Sequence, residues 1–218
     1  MFASFTILTL IVRHLTKRDP ASWFFDPEPG YKPRYSNIRR HEADTFIQDV
    51  TDSSVTLYTK FNATANITAI CVGIATIARD NVRYFRSTVG SLLAGLDDRE
   101  RQRIFLILFI AHSNPAVHPA FNEGWMTKLA DRILLYNASQ VEIQMLQRLE
   151  TQAEEYRKKP LFDYTFLLES CLDTPTSYMA ILEDDVLAMD GWLHRTERAL
   201  QVVEEKSADK GYADCTYV

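Results

Sequence analysis

The chain has 218 residues, of which 46% are hydrophobic and 24% charged, and this composition excludes intrinsic disorder as its overall state. A formal net charge of -5 leaves no basic surface for nucleic acid, so we expect no nucleic-acid partner. The 3 cysteines are too few for a disulfide-stapled small fold, and their spacing does not match a zinc site. At most one disulfide can form among them.

The N-terminus opens with an uncharged, largely apolar run from Phe2 to Val12. A membrane-spanning helix needs about 20 such residues, so this run is too short to span a bilayer. Because the run starts at the initiator methionine, we interpret residues 1–18 as the remnant of an N-terminal membrane anchor. A cleaved signal peptide is the alternative, although no basic region precedes the apolar core and Arg13 follows it.

Three triplets match the acceptor pattern for N-glycosylation, and they begin at Asn62, Asn66 and Asn137. The pattern indicates the secretory route, where such triplets are modified. The alternative is that some or all of them are ordinary polar turns.

Residues 19–68 are rich in proline and show little apolar periodicity, so we predict a stem or irregular packing segment there and no second domain. From residue 69 onward, short β-branched runs alternate with helical patterns. The predicted strands cover 69–77, 104–110, 133–136 and 178–182. The predicted helices cover 81–96, 125–130, 141–157, 161–172 and 192–205. This order predicts an α/β fold over 69–218, with a mainly parallel sheet flanked by helices.

Three acidic residues, Glu183, Asp184 and Asp185, directly follow the last predicted strand. Adjacent carboxylates are too costly to bury together, so they must emerge at the carboxyl edge of the sheet, where ligands bind in open α/β sheets. Side chains alternate along a strand, so Glu183 and Asp185 point to one side and Asp184 to the other. A hard divalent cation relieves carboxylate repulsion, which makes Glu183 and Asp185 the predicted metal ligands. A solvated turn or a helix N-cap is the alternative.

The segment from Tyr178 to Ala188, ahead of Gly191, resembles the metal-binding motif of GT-A-type glycosyltransferases. The upstream segment 156–169 resembles the helix that precedes this motif in two related families. These are the post-GPI-attachment GPI-N-acetylgalactosamine transferases and the N-acetylglucosaminyltransferase IV enzymes. Residues 72–79 and 109–119 look like fungal members of the first family, and the resemblance covers roughly residues 69–205.

The resemblance implies a GT-A-like, Rossmann-type domain and a metal-dependent hexosaminyltransferase that uses a UDP-sugar donor. It implies that Glu183 and Asp185 hold Mn²⁺ or Mg²⁺ and, through the metal, the donor diphosphate. Asp184 would contact the ribose or shape the site. Thr76 and Arg79, at the end of the first strand, would line the nucleotide pocket.

Lys159 and Asp163, near a helix N-terminus, would also face the nucleotide by the same resemblance. Structural roles are the alternatives, since an N-terminal carboxylate favours the helix dipole without any ligand, and Arg79 can be a surface residue. For His112 and His118, in the loop after the second strand, we expect structural hydrogen bonding.

The resemblance further implies transfer of N-acetylgalactosamine to a GPI-anchor glycan by a membrane-associated enzyme of the Golgi or endoplasmic reticulum lumen. An N-glycan-branching N-acetylglucosaminyltransferase is the alternative among enzymes, and a non-catalytic lumenal domain that binds a divalent cation is the alternative of another class. Chains of these families are longer than this one. We therefore expect a C-terminally incomplete domain that holds the donor half, lacks the base that activates the acceptor, and transfers nothing alone.

Overall fold

The computed structural model describes residues 2–17, 19, 21–30, 35–54, 58–64, 69–79, 84–136, 140–152 and 157–210. Two compact units are present, Met1–Ile38 and Arg39–Val218. Two of the predicted glycosylation triplets, at Asn66 and Asn137, and the third cysteine, Cys215, lie outside the described residues.

The first unit contains helix α1 (Phe2–Thr16), which carries the apolar run, and the short helix α2 (Pro27–Gly30). Among the described residues, no helix combines the length and the apolar character that crossing a bilayer requires. The membrane anchor therefore stays a prediction.

The other elements follow in the order of the chain. The strands are β1 (Ile70–Thr76), β2 (Ile104–Ile110), β3 (Arg132–Leu134) and β4 (Tyr178–Glu183). The helices are α3 (Tyr35–Asp52), α4 (Tyr84–Leu93), α5 (Asp98–Arg101), α6 (Trp125–Leu129), α7 (Gln140–Thr151), α8 (Lys158–Leu172) and α9 (Trp192–Lys210). Two 3₁₀ turns, Pro115–Val117 and Pro119–Asn122, follow β2.

The four strands form one parallel sheet in the order β3-β2-β1-β4. β1 lies between β2 and β4, so that Ala75 pairs with Phe109 on one side and with Glu183 on the other. The chain builds the sheet from β1 outward to β3 and then returns to the opposite side of β1 for β4. The predicted α/β fold is confirmed, and it is consistent with a GT-A-like, Rossmann-type domain.

Each face of the sheet has its own apolar core, because successive strand side chains point to opposite faces. The core of the first face, here called the α4 face, includes Ile47, Val72, Val89, Trp125 and Leu193. The core of the second face, here called the α8 face, includes Cys71, Ile107, Phe109, Leu167 and Cys171. Helices from several parts of the chain thus cover the α4 face, whereas α8 covers the other.

A disulfide between Cys71 in β1 and Cys171 in α8 joins the sheet covalently to that helix. The two elements pack closely, since a Cβ atom at Gly73 would lie 2.9 Å from Leu167 Cγ and 3.0 Å from Ile181 Cδ1. The single disulfide that the cysteine count allows is therefore buried in the α8-face core.

The prediction of an irregular segment over residues 19–68 is wrong for 35–52, which form α3. Ala43, Ile47 and Val50 are buried at helical spacing and give α3 its apolar face. Arg39 is also buried on this helix. The apolar stripe is therefore narrow and includes an arginine, which conceals the helix in a hydropathy pattern.

Several element boundaries also differ from the prediction. α8 begins at Lys158 rather than at 161, because Pro160 lies in the first helical turn, where a backbone N–H has no intrahelical partner. α7 ends at Thr151 rather than at 157, and β3 covers Arg132–Leu134 rather than 133–136.

Candidate functional site

The predicted residues Thr76, Arg79 and Asp184 come together at the carboxyl edge of the sheet. Thr76 ends β1, and Asp184 follows β4, which is the strand added after the chain reverses direction in the sheet. This gap between β1 and β4 is the topological switch point, where open α/β sheets bind ligands. The sheet order therefore places the candidate site where the fold favours one.

Asp184 is buried, and each oxygen of its carboxylate has a partner of its own. The Thr76 hydroxyl donates to Oδ2 over 2.7 Å, and Nη2 of Arg79 lies 2.8 Å from Oδ1. The side chain of Asp184 is 6% exposed, whereas that of Arg79 is 36% exposed. Arg79 therefore neutralises a buried carboxylate from the rim of the site and keeps part of its guanidinium open to solvent.

His118 extends this network into the loop after β2. Its Nδ1 accepts from the backbone N–H of Ala120 over 3.1 Å, which leaves Nε2 as the protonated nitrogen of the neutral ring. Nε2 lies 3.0 Å from the Thr76 hydroxyl, whose own proton goes to Asp184. Burial lowers the pKa of His118, with a further contribution from neighbouring His112. The structural role predicted for His118 is confirmed by these contacts.

His112 joins the loop after β2 to the loop after β1. Its Nε2 accepts from the backbone N–H of Ala78 over 2.7 Å, and its Nδ1 lies 4.0 Å from Oε1 of Glu150. The Glu150 carboxylate also accepts from both the backbone N–H and the hydroxyl of Ser113. Burial lowers the pKa of His112 despite this carboxylate. His112 thus also has the structural role that the sequence predicts.

The segment after β4 is fixed through its backbone. The Thr88 hydroxyl in α4 lies 2.7 Å from the carbonyl oxygen of Asp184 and 2.9 Å from that of Val186. The backbone N–H of Ala188 donates to the Ser91 hydroxyl, and Nε of Arg39 donates to the Ala188 carbonyl. α3 and α4 therefore hold the acidic segment in place from the α4 face.

Glu183 and Asp185 are exposed on either side of buried Asp184. Glu183 pairs in register with Ala75, which packs against the α8-face core, so alternation places Glu183 on the face opposite Asp184. Within the described part of the chain, neither carboxylate makes an ion pair or a side-chain hydrogen bond. Both are therefore available to a ligand from solvent.

The described residues include no group of three or more His, Cys, Asp or Glu side chains arranged to hold a metal ion. Two carboxylates still suit Mg²⁺, which is commonly held by one or two protein carboxylates together with substrate phosphates and water. The donor set of Glu183 and Asp185 thus fits a cation that a phosphate ligand would help to hold.

Lys159 and Asp163 lie on α8, and no contact joins them to Thr76, Arg79 or Asp184 among the described residues. Nζ of Lys159 lies 2.6 Å from the Asp163 carboxylate and 2.9 Å from the carbonyl oxygen at the end of β2, that of Ala111. Both side chains are less than one tenth exposed. Their nucleotide contact stays a prediction, and their observed partners are each other and the sheet.

Tyr136, which follows β3, donates its hydroxyl proton to the Asp163 carboxylate. It thereby joins Lys159 and Asp163 of α8 in one hydrogen-bonded group. Burial raises the pKa of Asp163, and hydrogen bonds from Lys159 and Tyr136 oppose that shift. Burial and the Asp163 carboxylate raise the pKa of Tyr136, so its hydroxyl stays protonated. Tyr136 is absent from the predicted site because the sequence pattern assigns it to the strand 133–136, whereas β3 ends at Leu134.

A small cavity opens beside the Arg79–Asp184 pair. It measures about 30 Å³, which is enough for about one water molecule. Tyr84 and Arg86, which start α4, line it together with Glu123. These residues are absent from the predicted site because the apolar periodicity of the α4 segment reports only its buried side.

No protein-family model matches the chain, and no solved structure matches it significantly. Curated proteins that match include the alpha-1,3-mannosyl-glycoprotein 4-beta-N-acetylglucosaminyltransferases C of Macaca fascicularis and Mus musculus. Each is 23% identical over 146 residues, a region that covers 62% of this chain and 30% of the relative. The chain thus spans less than a third of the length of these relatives. It is a distant relative of glycosyltransferases, and the comparisons do not show membership of the GPI-N-acetylgalactosamine transferase family.

Proposed function

We propose that the protein is a metal-dependent glycosyltransferase whose UDP-sugar donor binds between β1 and β4. The observation that carries the proposal is the convergence of Thr76, Arg79 and Asp184 at the switch point, beside the exposed carboxylates of Glu183 and Asp185. The similarity to two N-acetylglucosaminyltransferases supports the reaction class.

Glu183 and Asp185 would hold Mn²⁺ or Mg²⁺ in this proposal. The ion would supply positive charge to the donor diphosphate as its bond to the sugar breaks. Arg79 would act on the same charge, because its guanidinium is partly exposed and a fork of N–H donors suits phosphate oxygens. Asp184, fixed by Thr76, keeps Arg79 directed to this edge before the donor arrives.

In the transfer step, the acceptor hydroxyl attacks the anomeric carbon while the bond to the diphosphate breaks. The diphosphate leaves with the electron pair, and a general base takes the hydroxyl proton. The described residues of the site serve the leaving-group side of this reaction. The unprotonated nitrogens of His118 and His112 already accept the backbone N–H groups of Ala120 and Ala78, so neither histidine is assigned as the base.

Two acceptor classes follow from different observations. The resemblance of the segments 72–79 and 109–119 supports N-acetylgalactosamine transfer to a GPI-anchor glycan. The matched relatives support N-acetylglucosamine transfer to an alpha-1,3-mannosyl glycoprotein. We propose the GPI glycan as acceptor, and parallel assays with both donor and acceptor pairs, on a chain that includes the acceptor half, distinguish the two.

The same proposal places the protein in the lumen of the Golgi or endoplasmic reticulum, with the full-length form associated with the membrane. The buried disulfide between Cys71 and Cys171 supports a lumenal location, since disulfides form and persist in oxidising compartments.

Calorimetry with UDP, in the presence and absence of Mn²⁺, tests the site. We expect UDP binding that requires Mn²⁺ and that weakens at least about tenfold in Asp185→Asn, a loss of about 1.4 kcal/mol. Asp173→Asn is the matched control, because Asp173 is an exposed carboxylate at the far end of α8. It should bind UDP as the parent chain does.

Two results would overturn the proposal. Mn²⁺ binding that is indifferent to UDP would identify a cation-binding domain without transferase chemistry. UDP binding that is unchanged in Asp185→Asn would remove the metal site from the acidic segment.

A further inference from the structure

We propose that Asn62 carries an N-linked glycan, transferred from a lipid-diphosphate-linked oligosaccharide. Asn62, Ala63 and Thr64 form one of the three acceptor triplets, and all three residues are exposed in a turn of the folded chain. A bulky, hydrated glycan requires such a surface position. This inference rests on the lumenal location proposed above and goes beyond it by naming a modified residue.

The side chains of the triplet are already arranged around the acceptor amide. Oδ1 of Asn62 accepts from the backbone N–H of Thr64 over 3.1 Å and from the Thr64 hydroxyl over 2.7 Å. Nδ2 of Asn62 makes no hydrogen bond with any described residue. The carbonyl oxygen is therefore engaged within the triplet, whereas the nitrogen that would bear the sugar belongs to an exposed residue and is not hydrogen-bonded within the described part of the chain.

The fold also leaves room for the glycan away from the candidate donor site. The backbone N–H of Asn62 donates to the carbonyl of Gln102, which lies just before β2 at the amino edge of the sheet. Thr76 and Asp184 lie at the carboxyl edge, and a strand of seven residues such as β1 spans about 20 Å. A glycan at Asn62 therefore extends from the edge opposite the site and does not obstruct it.

The transfer is a substitution at the anomeric carbon and needs no oxidant or reductant. Nδ2 of Asn62 forms a bond to the anomeric carbon of the oligosaccharide, and the bond from that carbon to the lipid diphosphate breaks. The diphosphate departs with the electron pair, and one amide proton passes to a base of the oligosaccharide-transferring enzyme. The disulfide of Cys71 with Cys171 forms under the same lumenal conditions, which makes it an independent marker of delivery.

The test uses the whole chain expressed in a eukaryotic secretory host, with Thr68→Ala and Ser139→Ala removing the other two triplets. Three further variants are compared in this background. Asn62→Gln and Thr64→Ala remove the remaining triplet, and Thr64→Ser preserves it. The readouts are gel mobility before and after peptide N-glycosidase, and the mass of the peptide that contains residue 62.

We expect a mobility shift on deglycosylation in the background chain and in Thr64→Ser, and complete loss of that shift in Asn62→Gln and Thr64→Ala. Alkylation of free thiols, followed by mass analysis of the peptides that contain Cys71 and Cys171, reports the state of these two residues apart from Cys215 in the same samples. If the disulfide forms and Asn62 is unmodified, the result contradicts the proposed glycan but not the lumenal location. Free thiols together with unmodified Asn62 contradict the lumenal location as well as the glycan.

Discussion

Thr76 and Asp184 are separated by 108 positions in the chain, yet the hydroxyl of the first donates to the carboxylate of the second over 2.7 Å. The contact lies one residue beyond the last β1–β4 pair, that of Ala75 with Glu183. Strand pairing thus continues into a side-chain contact at the edge of the sheet. This contact fixes the middle member of the acidic triplet and leaves its two neighbours exposed.

Asp184→Asn should lower the free energy of unfolding by about 1–3 kcal/mol, because Arg79 loses its charge partner at a buried carboxylate. The partial exposure of Arg79 keeps the cost below that of a fully buried pair. Urea denaturation without metal measures the change. Asp185→Asn is the control, and its effect should stay within about 0.5 kcal/mol because Asp185 is exposed. Equal costs for the two variants would contradict the buried, paired role of Asp184.

Lys159→Met should destabilise the fold by about 3 kcal/mol, since Asp163 would remain buried without its cation. The double variant Lys159→Met with Asp163→Leu should cost less than the single one, because it removes both charges from the buried site. Urea denaturation of the single and double variants gives the comparison. A single variant as stable as the parent chain would show that the pair adds nothing to the fold.

The free energy of unfolding should decrease as the pH falls below about 6.5. Burial lowers the pKa of His112 and His118, so the unfolded chain takes up protons at a pH where the folded chain does not. The unfolded state then binds more protons, and each histidine contributes at most about 1.4 kcal/mol per pH unit. Urea titrations from about pH 7.5 to about pH 5 measure this slope.

Matched variants assign that slope to the two imidazoles. His118→Asn keeps an acceptor for the Ala120 N–H, and His112→Gln keeps one for the Ala78 N–H. The double variant should show a flatter pH dependence over this range. An unchanged slope would contradict the assignment of the pH dependence to His112 and His118.

Replacing both Cys71 and Cys171 with alanine should lower the free energy of unfolding by about 4–5 kcal/mol. The disulfide closes a loop with a sequence separation of 100 residues, and such a loop loses much entropy when it is closed in the unfolded chain. Urea denaturation with and without reductant measures the loss. Reductant should destabilise the parent chain and leave the alanine variant unchanged. A parent chain indifferent to reductant would contradict a stabilising disulfide.

The sequence predicts the strands well because β1 and β2 are continuous apolar runs, as expected for strands covered on both faces. Their parallel arrangement then places the residues after β1 and β4 at one edge. Helix α3 is not predicted, because its burial depends on tertiary contacts such as those of Arg39 with the Ser91 and Ala94 carbonyls. Hydropathy reports none of these contacts.

Within the site, the alternation of side chains along β4 predicts that Glu183 and Asp184 point to opposite faces. The structure agrees with this prediction, because Asp184 is buried whereas Glu183 is exposed. The partners of Asp184 cannot be predicted in this way, because a hydrogen bond between residues 108 positions apart leaves no local signal in the sequence. The hydrogen bond from Lys159 to the Ala111 carbonyl likewise depends on how α8 packs against the end of β2. Side-chain partners across the sheet therefore require the structure.

The strand order of the sheet has a consequence for biosynthesis. β1, β2 and β3 leave the ribosome well before β4, so the edge of β1 that pairs with β4 stays open during much of translation. Cys71 cannot form its disulfide during this period, because Cys171 has not yet been synthesised. Because an open strand edge can pair with other chains, we expect a nascent chain stalled before residue 178 to be more prone to aggregate than the completed chain.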